Sequence, residues 1–451
     1  MNWNDLDYDL VVRNGLVFLP DSKKIRADVG IDGEKISRIS KQSLHGSHIV
    51  DARGLPVIPG GVDAHAHIFD KNFTYREDWG SGTESALFGG VTTVINMVLT
   101  TLIDSPARVS ESIRSGNRNA FADFSLHAGM MNGRNVKNVG AISRLGVRSF
   151  KNFTCRPYME SDGEIIRVLD ACRKNDGCVA NFHAENETII DRATMKVKAS
   201  GRTDAKAHPD SRPAIAEIEA IHRISQLTGL NKCHTHISHV STAIGARIIG
   251  ETKGMTGETC PHYLVFTRDD MKDAYLKMNP PLRSKKDVAG LWNALQNGLL
   301  DIVTSEHAPG TREEKSKGIW DSWGGVPGIE TMIPALYTYG VMRKRITLQR
   351  MIEVACTAPA RIFGLDYCKG AIKPGMDADL VVLDIKTKHR VRGDELHSKC
   401  GWTPFEGRML SGFPDATIVR GRVAVLQDDR QIQNKKDRGR FVPMNNNKPV
   451  L

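Results

Sequence analysis

The densest chemistry in this chain lies in Ile58-Pro-Gly-Gly-Val-Asp-Ala-His-Ala-His67, an apolar run that ends in Asp63, His65 and His67. On a β-strand, histidines two positions apart share one face, here at the strand's C-terminal end. Two neutral imidazoles in that arrangement suit a borderline cation such as zinc. A lone His-x-His pair is also met as two polar residues at a strand end, so further donors at equivalent places must decide. The chain offers Lys151 in Val147-Arg-Ser-Phe-Lys-Asn-Phe153, His183 in Asn181-Phe-His-Ala-Glu-Asn186, and Glu306 with His307 in Val303-Thr-Ser-Glu-His-Ala-Pro309. It also offers His234, His236 and His239 within one stretch. Strand parity puts His234 and His236 on one face, with His239 facing away or lying past the end, and so does not choose among them. Lys151 sits between apolar neighbours, where an ammonium is costly to desolvate. Either it pairs with a carboxylate or reaches out to water, or it reacts with CO2 to give a carbamate whose two oxygens can bridge two cations.

These donors need a scaffold that gathers distant strand ends. Between 58 and 369, short apolar runs at 57–67, 91–97, 124–129, 147–153, 178–183, 233–240, 254–260 and 301–305 alternate with helix-like stretches such as 81–88, 164–174, 215–227 and 286–297. Eight such units predict an α/β fold, a (β/α)8 barrel of the TIM type, whose active site lies at the C-terminal ends of its strands. Five of the predicted strand ends carry His, Lys or Glu, and all five face the same mouth of such a barrel. The flanks read differently: 7–57 holds short apolar runs with a hairpin signal at Asp32-Gly33, and a similar texture returns in Asp379-Leu-Val-Val-Leu-Asp384 and Ala416-Thr-Ile-Val-Arg-Gly-Arg-Val423. We expect a small β-sandwich domain built from both termini (1–57 with 370–451) around a barrel domain at 58–369. For the polar, basic segment 427–451 the sequence does not decide between a loose tail and one that reaches a neighbouring subunit.

The 451 residues carry 40% hydrophobic and 25% charged side chains, a balance that supports a large soluble core. A formal charge of +10 raises nucleic acid as a partner. No basic block interleaved with aromatics and no zinc-finger spacing accompanies it, so the charge reads as solubility and anion steering, with no nucleic-acid partner. Eight scattered cysteines without a Cys-x-x-Cys pair fit a reducing cytoplasm. With no apolar run of about 18 residues and no apolar leader, no membrane association is expected.

Over nearly its whole length the chain resembles the cyclic amidohydrolases: hydantoinases and dihydropyrimidinases, allantoinases and dihydroorotases. The resemblance rests on Gly61-Val-Asp-Ala-His-Ala-His67, Gly89-Gly-Val-Thr-Thr93, Ser149-Phe-Lys-Asn-Phe153, His183-Ala-Glu-Asn-Glu-Thr-Ile-Ile190 and Ser211-Arg-Pro213. It continues through His236-Ile-Ser-His-Val-Ser241, Asn279-Pro-Pro-Leu-Arg283, Ala358-Pro-Ala-Arg-Ile-Phe-Gly364 and Lys373-Pro-Gly-Met-Asp-Ala-Asp379. It implies two divalent ions, zinc, one on His65 and His67, the other on His183 and His239, bridged by carboxylated Lys151. It thereby selects His239, leaving His234 and His236 to packing or to support of the ligands. Glu306 would bind metal and act as general acid and base while a hydroxide bridging the ions opens a ring amide. Asn279, Pro281 and Arg156 would face the substrate, and a homodimer or homotetramer is implied.

Where the family carries Ser-Asp-His, this chain reads Ser305-Glu306-His307, which keeps the carboxylate but extends its reach by one C–C bond. Phe69 occupies the place where dihydroorotases put an arginine for the substrate's carboxylate, and Arg156, with Tyr158 nearby, the place of the oxyanion-binding tyrosine of dihydropyrimidinases. The expected substrate is therefore a five-membered cyclic ureide of the hydantoin or allantoin type. The alternatives are dihydropyrimidinase or dihydroorotase activity, or a weak or inactive scaffold relative that follows from Glu306.

Overall fold

The computed structural model describes residues 7–445. The chain opens with five strands, β1 (Asp7–Phe18), β2 (Lys24–Asp32), β3 (Lys35–Ser40), β4 (His45–Asp51) and β5 (Pro56–Pro59). Eight more follow: β6 (Gly61–Ala66), β7 (Val91–Asn96), β8 (Asp123–Gly129), β9 (Ser149–Phe153), β10 (Val179–His183), β11 (Thr235–Ile237), β12 (Met255–Thr259) and β13 (Ile302–Val303). The chain closes with β14 (Leu380–Asp384), β15 (His389–Arg390), β16 (Met409–Leu410), β17 (Phe413–Val419) and β18 (Arg422–Leu426).

Strands β6 to β13 pair in sequence order, all parallel, with helices between them. The ring closes beyond its ends, where the His67 N–H donates to the His307 carbonyl at 2.8 Å. This is the expected barrel, with every predicted strand in place. The predicted helices appear as Trp79–Phe88, Asp162–Lys174, Ala214–Asn231 and Lys285–Asn297. The second and last of these begin with reciprocal capping boxes, Ser161 with Glu164 and Ser284 with Asp287.

The run 57–67, expected as one strand, is two. Gly60 divides it because a side chain there has no room: a Cβ would lie 2.1 Å from Thr92 Oγ1. Residues before it join the small sheet through β5, and those after it start the barrel. The small sheet runs β18-β17-β14-β5-β1-β2-β3, with β4 also on β1. Both of its halves pack side chains into one core, among them Val12, Val29, Val57, Leu380 and Ile418. Gly33, at φ 54°, makes the expected hairpin turn between β2 and β3.

A buried charge cluster joins this sheet to the N-terminal ends of the barrel strands. Lys369 Nζ lies 2.6 Å from Asp123, 2.7 Å from Asp379 and 3.0 Å from Asp377. Arg420 adds a second cation on Asp123. Burial opposes the charge on Lys369, but the three carboxylates outweigh it and hold its pKa above the ordinary value.

The segment leading to residue 445, whose order the sequence leaves open, is tied to the barrel by backbone hydrogen bonds. Gly439 donates to Ala120, Val442 to Phe124 and Met444 to Gly146. Val442 and Met444 are buried against Val62, Ile95, Val179 and Phe363 at the base of the barrel. Apolar residues spaced two apart in a polar stretch carry that packing. Residues 446–451 lie outside the described part.

Removing Lys369 would leave three buried carboxylates short of a cation. Lys369→Met is expected to lower the unfolding free energy by about 3–5 kcal/mol, measured by chemical denaturation, while KM stays unchanged because the cluster sits at the end of the barrel opposite its mouth.

Candidate active site

β6 ends by presenting His65 and His67 on one face, their ring centroids 5.4 Å apart. Each ring is oriented through Nδ1. His65 Nδ1 is hydrogen-bonded to a Glu258 carboxylate oxygen, and His67 Nδ1 donates to the Met97 carbonyl at 2.8 Å. With the proton fixed on Nδ1, Nε2 of each ring is left with a free lone pair. Across the mouth, His183 Nε2 donates to Glu185 Oε2 at 2.8 Å, which leaves Nδ1 as its bare nitrogen. That atom lies 3.0 Å from His239 Nε2. Burial is the main cause that lowers the pKa of all four rings, and the Lys151 charge contributes in each case. The rings are therefore neutral near pH 7, as ligation requires.

Lys151 lies on β9 among these rings, 2% exposed, its Nζ donating to the Ser238 hydroxyl. Ser238 in turn donates to Asn181 Oδ1 at 2.6 Å. Burial pulls the Lys151 amine down to about 8.

Glu306 follows β13 and reaches the same mouth. One carboxylate oxygen and a ring nitrogen from each of His65 and His67 all lie within 4.8 Å of one another. Burial pushes its carboxyl well above the usual range. Glu306 and His239 both have backbone in the left-handed region, at φ 43° and 39°. Non-glycine residues are held there only when the surroundings enforce it, and such strain gathers at functional sites. The parity question is answered by this turn: His239 lies past the end of β11 and swings into the mouth. His236 is taken up by Thr256 and Glu258, and His234 by Thr256.

Sequence reasoning missed the residues that hold the donors. Glu258, fully buried on β12, accepts from the His65 ring, from the His239 N–H at 3.2 Å and from His236 Nε2 at 3.1 Å. Glu185 is gripped by Arg212 as well as by His183. Burial raises both carboxyls, but the hydrogen bonds they accept from these rings and, for Glu185, the Arg212 charge outweigh it and bring them below the ordinary range. Asp63 accepts from the Ser305 N–H at 3.0 Å and from its hydroxyl, tying β6 to the residues before Glu306; burial raises its carboxyl to about 6. For Asp63 the available signal was an acid among apolar residues of a strand, which must find a partner when buried.

A cavity of about 280 Å³ opens over the donors, walled by Phe73, Leu99, Phe153, Tyr158, Ala308 and Trp323. Asn279 lines it, and its buried Oδ1 has no hydrogen-bond partner. Arg156 also lines it but is paired with Glu187 and Asp191. Pro281, expected beside Asn279, is buried and does not line the cavity. Phe69 stacks on Trp79 at 5.7 Å and does not line it either.

The donor set fits divalent cations: three buried imidazoles and the half-buried ring of His67, one carboxylate and one buried amine. Among the described residues, no helix is long and apolar enough to cross a membrane. A solved L-hydantoinase (dihydropyrimidinase) from Arthrobacter aurescens superposes with a TM-score of 0.91 at 32% identity, covering 97% of this chain and 100% of that one. A dihydroorotase of Methanothermobacter thermautotrophicus is 33% identical over 97% of both chains. An allantoinase of Bacillus licheniformis is 30% identical over 97% of this chain and all of its own. The model of the amidohydrolase family matches residues 57–424. The chain therefore belongs to the amidohydrolase family, and within it to the enzymes that hydrolyse cyclic amides.

Proposed function

We propose that this chain opens the ring amide of an uncharged five-membered cyclic ureide, of the hydantoin or allantoin type. The observation that carries the choice of ring is the electrostatics of the cavity wall. Both guanidinium groups there, Arg156 and Arg212, are already paired with carboxylates, and the Phe69 side chain is turned onto Trp79. A substrate carboxylate, as in dihydroorotate, would find no free cation among these groups. A neutral ring loses nothing there, and an Asn279 Oδ1 without a partner suits a ring N–H.

In this reading His65, His67, Glu306 and Lys151 hold one zinc ion, and His183, His239 and Lys151 the other. Bound there, the ions would acidify water and polarise the ring carbonyl. The protein supplies the rest. Lys151 must be neutral to react with CO2: its nitrogen bonds to carbon, and one proton leaves for solvent. With a pKa of about 8, about one amine in ten is neutral at pH 7, against about one in three thousand for an ordinary lysine. Glu306 would take up, at its carboxylate oxygen, the proton released as the water attacks and pass it to the departing ring nitrogen. Phe73, Phe153 and Trp323 exclude bulk water. A dimeric or tetrameric enzyme in a reducing cytoplasm completes the proposal. Eight free, buried cysteines support the compartment, and Met195 and Ile215, exposed on neighbouring helices, support the assembly.

Purified enzyme is expected to turn over hydantoin or allantoin with a higher kcat/KM than dihydrouracil or dihydroorotate, and dihydroorotate as the preferred substrate would overturn the assignment. Glu306→Gln should lower kcat by about 10²–10⁴-fold with an unchanged circular dichroism spectrum; retained turnover would remove Glu306 from the proton path. Chelation is expected to abolish hydrolysis. Reconstitution with zinc and bicarbonate should then quicken with rising pH and level off above about 8, and a rate indifferent to bicarbonate would rule out the carbamate.

A further inference from the structure

Glu306 stands between two sets of donors. One is His65 and His67. The other is Cys260 and His262, each offering a ligand atom that lies, with a Glu306 carboxylate oxygen, in a group no more than 4.8 Å across. His262 is 2% exposed, and its buried Nε2 has no hydrogen-bond partner although it lies 3.7 Å from Glu306 Oε2. A buried polar atom left bare in a native fold calls for an explanation, an unrecorded ion among them. Cys260 is fully buried, its sulfur 3.7 Å from the Thr304 hydroxyl. The similar group Cys155, His183 and Glu185 differs in one respect: Arg212 already balances Glu185 and would repel a cation.

We propose that Cys260, His262 and Glu306 form a third cation site, selective for a thiophilic divalent ion such as zinc or cadmium, whose occupation inhibits hydrolysis by drawing Glu306 away from His65 and His67. A sulfur, an imidazole and a carboxylate, with water in the fourth position, are the donors such ions take in tetrahedral sites. The sulfur binds as thiolate and its proton goes to solvent. The longer side chain of Glu306 is what makes the site: an aspartate at this place would reach one C–C bond less far toward His262. Because Glu306 lines the cavity, the third ion enters through the same opening as substrate. The inhibitory part of the proposal rests on the role given to Glu306 above, whereas the binding part does not.

The test titrates the zinc-loaded enzyme with further zinc, and separately with cadmium. Expected are a third bound equivalent by metal analysis, progressive loss of hydrolysis, and a sulfur-to-cadmium charge-transfer band in the ultraviolet. Cys260→Ala should lose the band and the third equivalent. His262→Gln, which keeps the thiol, should raise the inhibiting zinc concentration at least about tenfold, since even a residue that only supports a ligand is worth that much. Both variants should keep the activity seen at low zinc. A third equivalent and inhibition that persist in both variants would overturn the proposal, as would the absence of any third equivalent. A Cys260-dependent band in a protein that hydrolyses none of the ureides would instead sustain the site and sink the proposed function.

Discussion

The mouth of the barrel depends on one buried carboxylate. Glu258 is wholly enclosed, where an unpaired charge would be prohibitively costly. It survives because three groups converge on it: the ring of His65 from β6, the ring of His236 from β11 and the backbone N–H of His239. Two of the four donor histidines, contributed by opposite arcs of the barrel, are thereby locked to a single anion. The same contacts fix the His65 tautomer and stabilise the left-handed turn at His239. An acceptor behind a donor ring is as much a part of such a site as the ring itself, and here one carboxylate holds the His65 ring and the His239 backbone.

The second constraint is closure. The first and eighth barrel strands meet where the His67 N–H donates to the His307 carbonyl, while deeper down Asp63 holds Ser305. His307 is itself fixed, with Nε2 on Glu77 at 3.0 Å and Nδ1 accepting from Gly328 N–H. Glu306 is flanked on both sides by residues that cannot move, so its unfavourable φ is imposed from outside. An aspartate-to-glutamate exchange in a flexible loop would spread the carboxylate over many positions. In this pinned turn the extra bond becomes a defined displacement, which leaves a Glu306 carboxylate oxygen near the rings of His65 and His67 and also brings His262 within reach.

Much of this was legible beforehand, for a physical reason. Parallel strands buried on both faces read as short apolar runs, and a titratable donor at or near the end of such a run stands out against it. His65, His67, Lys151, His183 and Glu306 were visible in that way. His239 was not, because alternation along a strand says nothing about a residue beyond the strand's end, and only the resemblance selected it. Glu258, Glu185 and Arg212 went unassigned because their meaning lies in partners far off in the chain. Gly60 was read as part of a strand because its role is set by Thr92 pressing on its backbone. The segment 427–445 reads as polar by composition, and the few apolar side chains that anchor it are too sparse for a periodic signal.

The two ends of the barrel are built on opposite principles, and this separates stability from chemistry. At the base, cations and carboxylates are paired within hydrogen-bonding distance, Lys369 and Arg420 against Asp123, Asp377 and Asp379, and the chain's last described residues seal the bottom with Val442 and Met444. At the mouth, His239 Nδ1, Asn279 Oδ1 and His262 Nε2 lack partners, and Lys151 and Glu306 are both shifted toward neutrality by burial. Such a concentration of unsatisfied groups is destabilising unless something outside the chain satisfies it. The mouth thus carries a cost in stability that the paired charges and apolar seal of the base offset.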